Sequence, residues 1–280
     1  MFTSTTRKAI AATATALIAT VTVAACGSGG GGGEPTVSAA DQTSELAAAQ
    51  GPSAEANASG AKLPDGSEPV KLDPSEFTST IDNPYWPMAV GSKWTYRESD
   101  TAGTRETAVV EVTNETKTIA NGVEARVIRD TVSEHGVPVE VTDDWYAQDS
   151  QGNIWYLGEY VTNYENGKVV DHGGSFEAGV DGAQAGIALP AHPEPGMDYR
   201  QEFYKGEAED RGGVITVGQE QVQVPFGHFD RGVLMTRDLT PTEPKVQELK
   251  FYGPGVGPLL SVHLDGAGGR AELVSYEPGR

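Results

Sequence analysis

Hydrophobic and polar residues alternate along most of the chain from about residue 77 to residue 276. The alternating segments are rich in Val, Thr, Tyr and Ile, and turn signals such as Asn121-Gly122 and Asn166-Gly167 separate them. This pattern is typical of β-strands joined by tight turns. No internal stretch shows sustained helical periodicity, and the 35 glycines and 17 prolines would be costly in helices. We therefore predict an all-β fold, a single antiparallel meander curved into a half-barrel or open barrel.

The most aromatic of these segments is DDWYAQDSQGNIWYLGEY, residues 143–160, which predicts a hairpin. A type I turn over residues 149–152 would pair Gln148 with Ile154, Ala147 with Trp155, Tyr146 with Tyr156, and Trp145 with Leu157. Both faces of this hairpin then carry apolar side chains. Since a sheet with one face in water has one polar face, we expect the second face to be covered by the chain or by a ligand. A half-exposed, Tyr-lined sheet is the alternative.

A stretch of about 25 residues without strand signal, from Gly173 to Tyr199, interrupts the meander. An insertion of this length in a compact domain is usually a lid or crossover, or contains a short helix. We predict a short helix or turn around Gly182 to Ala188, and the sequence leaves open whether the stretch is a lid or a packed crossover.

The N-terminal quarter of the chain differs in composition from the rest. Residues 1–25 combine Arg7 and Lys8 with an uncharged stretch rich in Ala and Val, which predicts a signal peptide rather than a transmembrane helix. Residues 26–75 are dominated by Gly, Ser, Ala, Glu and Pro, and we expect a flexible linker. The β domain is predicted over residues 76–280.

The single cysteine, Cys26, follows Val23-Ala24-Ala25. One cysteine cannot form an intramolecular disulfide. The sequence Val23-Ala24-Ala25-Cys26 resembles the bacterial lipobox, in which the cysteine is diacylated and becomes the first residue of the mature protein. This resemblance implies a lipoprotein held at the extracytoplasmic face of the cell membrane, since two acyl chains suffice for stable anchoring. A cleaved, soluble secretory protein is the alternative.

The formal net charge of −20 narrows the range of partners. This charge disfavours nucleic acid as a partner, because phosphate contacts need clustered Lys and Arg and the sequence has no such cluster. Direct adhesion to anionic lipids is disfavoured for the same reason, so the lipid anchor would hold the protein at the membrane. We expect a monomer.

Two sets of residues are candidates for binding. The first set would contact a lipophilic or small envelope ligand on the second face of the hairpin and on the 173–199 stretch: Tyr146, Trp155, Tyr156, Phe176, Ile187 and Leu189. The second set, Glu207, Glu209 and Asp210, is a weak candidate for a calcium site because calcium takes oxygen ligands. No loop has calcium-loop spacing, and a solvated sheet edge would explain these acids equally well. No other cofactor is expected.

Catalytic motifs are missing from the sequence. It contains no G-x-S-x-G, H-E-x-x-H or G-x-x-x-x-G-K-[ST] pattern. The five histidines occur singly, and His172 and His192 flank the 173–199 stretch. We expect no catalytic residues, although a hydrolase in which one of these two histidines meets a carboxylate is kept as an alternative.

Two motifs bracket the predicted domain. The opening motif contains Trp86-Pro87, Val90-Gly91, Trp94 and Tyr96, and the closing motif contains Tyr252 and Pro254-Gly255-Val256-Gly257. Together they resemble a group of bacterial secreted proteins and lipoproteins, and more distantly the LolA-like lipoprotein carriers. The resemblance implies an antiparallel sheet curved into a half-barrel, whose concave face holds acyl chains in the LolA-like carriers. The long helices that plug such concavities are missing here.

These expectations together predict an anchored, non-enzymatic lipoprotein that binds a lipophilic or small envelope ligand. A lipoprotein that acts through its surface, as a structural or partner-binding protein, is the first alternative. An envelope hydrolase is the second.

Overall fold

The computed structural model describes residues 62–101, 103, 105–241, 247–264 and 269–280. The predicted signal peptide, Cys26 and most of the predicted linker lie outside these residues. The described chain is all-β, as predicted, with a single 3₁₀ turn at Pro74–Glu76. The strands are β1 Phe77–Thr78, β2 Lys93–Ser99, β3 Arg105–Thr118, β4 Glu124–Glu134, β5 Val137–Asp149, β6 Ile154–Glu165, β7 Lys168–Asp171, β8 Phe176–Glu177, β9 Gln184–Leu189, β10 Asp198–Arg200, β11 Glu202–Phe203, β12 Arg211–Val224, β13 Gly227–Leu239, β14 Gln247–Gly253, β15 Gly257–His263 and β16 Arg270–Glu277.

All of these strands belong to one antiparallel sheet. Strands β12 to β16 pair in chain order, β16 pairs with β2, and β2 to β6 again pair in chain order. The sheet edges are β10, paired with β12, and β11, paired with β9. Because only Gln201 separates β10 from β11, one bent strand joins the two edges and nearly closes the sheet into a barrel. We call this junction the seam. In the described part of the chain, no helix is long and apolar enough to cross a membrane.

Two glycines allow the strands to meet at the seam. A Cβ atom at Gly186 would lie 2.3 Å from the backbone oxygen of Gln201, and one at Gly212 would lie 2.4 Å from the ring of Tyr199. Both distances are far below van der Waals contact, so any larger residue would force the strands apart.

The predicted hairpin is confirmed as β5 and β6. Gln148 pairs with Ile154, Ala147 with Trp155, and Tyr146 with Tyr156, in the predicted register. The fourth predicted pair, Trp145 with Leu157, is not formed, because the register shifts between Asp144 and Tyr146. The bulge lies at Gly158, which has a φ of 130° and packs against the backbone of Phe176. Glu159 is thereby paired with Asp144.

Of the two alternatives predicted around Gly182 to Ala188, the short helix is wrong, and a turn is found at Asp181 and Gly182. Residues 184–188 of this range belong to strand β9, Gln184–Leu189, which pairs with β6 on one side and β11 on the other. Five of its six residues are buried, so both faces of the strand are covered. Its sequence therefore lacks the alternation of apolar and polar residues that identifies a half-exposed strand. Within the 173–199 stretch, residues 183–191 are therefore a packed part of the barrel, while residues 179–182 and 194–196 are exposed.

Side chains of the opening and closing motifs meet inside the barrel. Trp94 donates its indole N–H to the carbonyl of Val256 at 2.7 Å, and the Tyr96 hydroxyl donates to the carbonyl of Pro258 at 2.9 Å. Trp86 packs on Tyr252 with ring centroids 6.1 Å apart. We call Trp86, Trp94, Tyr96 and Tyr252 the aromatic cluster. All four are at most 3% exposed, so the two motifs are parts of one core.

Residues 62–72, assigned to the linker from their composition, pack on the outside of the seam. Leu63, Val70 and Leu72 are half-buried against the core. The carbonyl of Pro64 accepts the backbone N–H of Arg200 at 2.7 Å. We call residues 62–72 the N-terminal strap.

Candidate functional site

The six side chains predicted to bind a ligand are buried in the core. Tyr146, Tyr156, Ile187 and Leu189 have no exposed surface, and Phe176 and Trp155 are 6% and 8% exposed. The ring of Tyr156 lies 5.0 Å from that of Tyr146 and 5.6 Å from that of Phe176. Trp86 covers Tyr146 from the opening motif at 5.7 Å. The second face of the hairpin is thus covered by the chain's own aromatic residues.

The two tryptophans of the hairpin point to its other face and are also covered. Phe77 of β1 packs edge-on against Trp155 at 5.9 Å, and the Trp155 indole N–H donates to Asp149. The ammonium group of Lys117 lies 4.3 Å from the centre of the Trp145 ring. Neither tryptophan is an exposed platform for a ligand.

The polar counterpart of the aromatic cluster is a group of carboxyl groups inside the barrel. We call it the acidic cluster. It consists of Asp144 on β5, Glu159 on β6, Glu202 on β11, Asp210 before β12, Asp238 on β13 and Glu248 on β14, all at most 6% exposed. Buried carboxylates are rare unless they are paired or bound, so the cluster calls for a functional explanation.

One half of the acidic cluster surrounds a buried lysine. The Lys250 ammonium lies 2.5 Å from Asp238 Oδ2 and 3.3 Å from Glu248 Oε2. Burial acts to lower the pKa of Lys250, but the two carboxylates outweigh it and raise this pKa well above its ordinary value. His263 Nε2 lies 3.6 Å from the other Glu248 oxygen. This half is a compensated ion-pair group.

The other half contains four carboxyl groups that face one another. Asp144 accepts a hydrogen bond from the Tyr156 hydroxyl at 2.8 Å, and Glu202 shares a hydrogen bond with Asp210. One oxygen of each of the four has no hydrogen-bond partner among the described residues: Asp144 Oδ2, Glu159 Oε2, Glu202 Oε2 and Asp210 Oδ1. A buried acceptor without a partner costs about 1–3 kcal/mol, so this half is destabilising as it stands.

Burial and mutual repulsion favour the protonated forms of these four groups. Burial, followed by repulsion from neighbouring acids, raises the pKa of Asp144 to about 7. The same causes raise the pKa values of Glu159 and Glu202 well above their ordinary value. Burial raises the pKa of Asp210 to about 6, although its hydrogen bonds act against the shift. Such perturbed acids are concentrated at functional sites.

A cavity at the seam reaches two members of the acidic cluster. This seam cavity has a volume of about 440 Å³, within the range of small-molecule sites. It is lined by Asp65, Gly66, Ser67, Arg200, Glu202, Phe203, Lys205, Glu209, Asp210, Arg211 and Pro241. Its outer wall is therefore the N-terminal strap, and its inner wall carries the Glu202–Asp210 pair.

The arginines of the seam cavity hold the strap in place. The Arg200 guanidinium donates to the carbonyls of Ala185, Gly66 and Glu68, which joins β9 to the strap. Arg211 donates to the carbonyl and the carboxylate of Asp65. Because these N–H groups are engaged, they are not available to Glu202 Oε2 and Asp210 Oδ1, two buried oxygens that have no hydrogen-bond partner among the described residues.

The three residues predicted as a weak calcium site do not converge. Glu207 lies within a tight turn closed by the Tyr204–Ala208 bridge, and Glu209 and Asp210 follow this turn, so Glu207 and Glu209 do not share the face of a strand. Glu207 is exposed, Glu209 accepts the Gly206 N–H at 2.7 Å, and Asp210 is buried. Among the described residues, no group of three or more His, Cys, Asp or Glu side chains has an arrangement suited to a metal ion.

The two histidines considered for a hydrolase lie apart from the acidic cluster. His172 stacks on Tyr160, and its Nδ1 lies 2.7 Å from the carbonyl of Val161, while His192 is exposed. Neither lines the seam cavity.

Sequence reasoning missed the acidic cluster. A local signal exists, because Glu248, Lys250 and Tyr252 alternate along β14 on the face that is buried. The same spacing occurs for Asp144 and Tyr146 on β5. In a chain with 40 acidic residues, such a pattern becomes informative only when the inward face is known.

Searches with the sequence found no matching protein family model and no matching curated protein. A candidate exported protein with a YmcC-like fold from Bacteroides fragilis NCTC 9343 is similar in structure, with a TM-score of 0.41, 15% identity, and coverage of 70% of this chain and 100% of that chain. A candidate lipoprotein from Parabacteroides distasonis ATCC 8503 has a TM-score of 0.37, 13% identity, and coverage of 69% and 98%. Both likenesses are distant, so the function of this chain is inferred from its own residues.

Proposed function

We propose that this chain is an extracytoplasmic lipoprotein, anchored through diacylated Cys26, that binds a small polar ligand in the seam cavity without converting it. The lipobox-like sequence Val23-Ala24-Ala25-Cys26 supports the anchor. One observation supports the binding role: buried carboxyl groups with unpartnered oxygens, Glu202 and Asp210, line a cavity of ligand size.

The lining of the seam cavity favours a small polar ligand over a lipophilic one. Phe203 and Pro241 provide apolar contacts, but most lining residues are charged. The aromatic side chains that could have held acyl chains are packed against one another. A lipid carrier needs a continuous apolar groove, whereas a small-molecule site needs an enclosed cavity with a few placed polar groups.

The binding role is tested by native mass spectrometry of the exported protein, purified from the envelope. We expect an additional bound mass that is lost in a Ser67→Trp variant, because Ser67 is an exposed residue that lines the cavity. Ser75→Trp, outside the cavity, is the matched control and should keep the bound mass. An unliganded parent protein, or equal retention by both variants, would refute a ligand site at the seam.

The anchor is tested separately with Cys26→Ala. Without the thiol no acyl chain can be attached, so the protein should move from the membrane fraction to the soluble extracytoplasmic fraction. Cys26→Ser is the conservative control and should behave in the same way. Retention of both variants in the membrane fraction would contradict lipid anchoring.

A further inference from the structure

The Glu202–Asp210 pair suggests what charge the ligand carries, an inference that rests on the proposed ligand site. The two carboxyl groups are 5% and 6% exposed and share one hydrogen bond. Each retains one oxygen, Glu202 Oε2 and Asp210 Oδ1, that has no hydrogen-bond partner within the described part of the chain. A hydrogen-bonded pair of carboxyl groups shares one proton and keeps one negative charge, because two adjacent charges cannot both persist.

The groups that face this pair on the barrel side are mostly carboxyl groups. Glu202 faces Glu159 of β6 and Asp144 of β5, while Asp210 faces Asp238 of β13 and Lys250 of β14. Lys250 is already held between Asp238 and Glu248. The one negative charge that the Glu202–Asp210 pair keeps therefore has no cation of its own on the barrel side, which favours a cationic ligand.

Two of the three basic residues of the cavity are hydrogen-bonded away from the Glu202–Asp210 pair. The guanidinium groups of Arg200 and Arg211 are directed to the N-terminal strap, where they donate to backbone carbonyls and to Asp65. Lys205 is exposed.

We propose that the seam cavity binds a small organic cation, whose ammonium group lies at the Glu202–Asp210 pair and whose short aliphatic part lies against Phe203 and Pro241. An ammonium group supplies up to three donors, which matches acceptors that lack partners. Charge-assisted hydrogen bonds of this kind are about twice as strong as neutral ones. A divalent metal ion is a poorer match, because it needs more converging oxygen ligands than this pair provides.

Calorimetric titration of the exported protein with three probes of equal chain length tests the charge of the ligand. Pentylamine is the cation, pentanol the neutral probe and valerate the anion. We expect pentylamine to bind at least tenfold more tightly than the other two. Equal or tighter binding of pentanol or valerate would be consistent with a ligand site at the seam but would contradict a cationic ligand. Binding of none of the three would overturn the proposal, and failure of the Ser67→Trp comparison would overturn the site itself.

Variants of the pair test which atoms hold the cation. Glu202→Gln keeps the shape and removes the charge, and we expect at least a tenfold loss in pentylamine affinity. Glu165→Gln, on the exposed end of β6, is the matched control and should change the affinity less than twofold. If Glu202→Gln does not fold, as judged by circular dichroism, Asp210→Asn is the deciding variant. Unchanged affinity in the folded variant, or calcium displacing pentylamine in competition, would contradict the proposal.

Discussion

The aromatic cluster and the acidic cluster lie inside the same barrel but differ in how well their buried polar atoms are hydrogen-bonded. In the aromatic cluster, Trp94 and Tyr96 donate to the backbone carbonyls of Val256 and Pro258. In the acidic cluster, all six carboxyl groups have at least one oxygen without a hydrogen-bond partner among the described residues, and an ion pair with Lys250 compensates only Asp238 and Glu248. The first arrangement is that of a stable core, in which buried polar groups are hydrogen-bonded.

This difference indicates that the acidic cluster has been retained for a role other than stability. Buried like charges destabilise a fold, and proteins keep such groups mainly where function requires them. Lys250 compensates Asp238 and Glu248, but the Glu202–Asp210 pair at the seam cavity has no comparable cation. Removal of one carboxyl group of this pair should therefore increase the stability of the fold and weaken ligand binding.

Truncation of the aromatic cluster should have the largest effect on stability. Trp86→Ala removes a side chain that is 3% exposed and contacts Tyr146 and Tyr252, so the loss should be about 3–5 kcal/mol. Urea denaturation gives this free energy of unfolding. Tyr160→Ala, at a position that is 47% exposed, is the control and should cost far less. Equal losses in the two variants would mean that the aromatic cluster is not the core.

The acidic cluster should make stability fall as the pH rises. Asp144 and Asp210 have an ordinary pKa of 3.8, and in the folded protein their pKa values are about 7 and about 6. At a pH between the ordinary pKa and the folded pKa of each group, the folded state therefore binds more protons than the unfolded state. The stability that this protonation contributes is complete below the ordinary pKa and is lost as the pH rises through the folded pKa. Each group contributes a slope of up to about 1.4 kcal/mol per pH unit.

Urea denaturation between pH 5 and pH 8 measures this dependence. We expect the free energy of unfolding to decrease steadily, and Asp144→Asn to flatten the curve because it removes one of the titrating groups. A free energy that increases over this range would show that the carboxyl groups are stabilised in their charged forms.

Removal of single tyrosine hydroxyl groups compares a buried polar atom that has a hydrogen-bond partner with one that has none. Tyr156→Phe deletes the donor to Asp144 and should cost about 1–2 kcal/mol, with a larger loss at pH 8 than at pH 5, where Asp144 is protonated. Tyr199 is the matched control, since its buried hydroxyl has no partner among the residues described. Tyr199→Phe should change stability by less than about 0.5 kcal/mol. A larger loss of stability in Tyr199→Phe than in Tyr156→Phe would contradict the assigned hydrogen bonds.

The fold could be predicted where local signals and packing agree. The pairing of Tyr146 with Tyr156 follows from the turn at Gly152, whose φ of 93° fits the predicted left-handed position. The bulge at Gly158 could not be predicted, because it depends on Phe176 packing from another strand. Strand β9 was missed for a similar reason, as it is buried on both faces.

The candidate site could not be predicted from the sequence. Glu202 and Glu159 are far apart in the chain and come together only because the bent strand closes the barrel. Asp210 was predicted as a weak calcium ligand because Glu207 and Glu209 lie beside it in the sequence. In the structure, its carboxyl partner is Glu202. The local sequence contains the carboxyl groups without showing which of them are buried.

The stability of Glu202→Gln at pH 8 tests most directly whether the carboxyl pair serves binding rather than folding. Glutamine keeps the size of the side chain, can donate to Asp210, and removes a buried group that is repelled by Asp210 and Glu159. We predict that the free energy of unfolding, measured by urea denaturation without ligand, increases by about 1 kcal/mol or more. A decrease of similar size would show that the Glu202–Asp210 pair stabilises the fold, and would contradict its assignment as a ligand site.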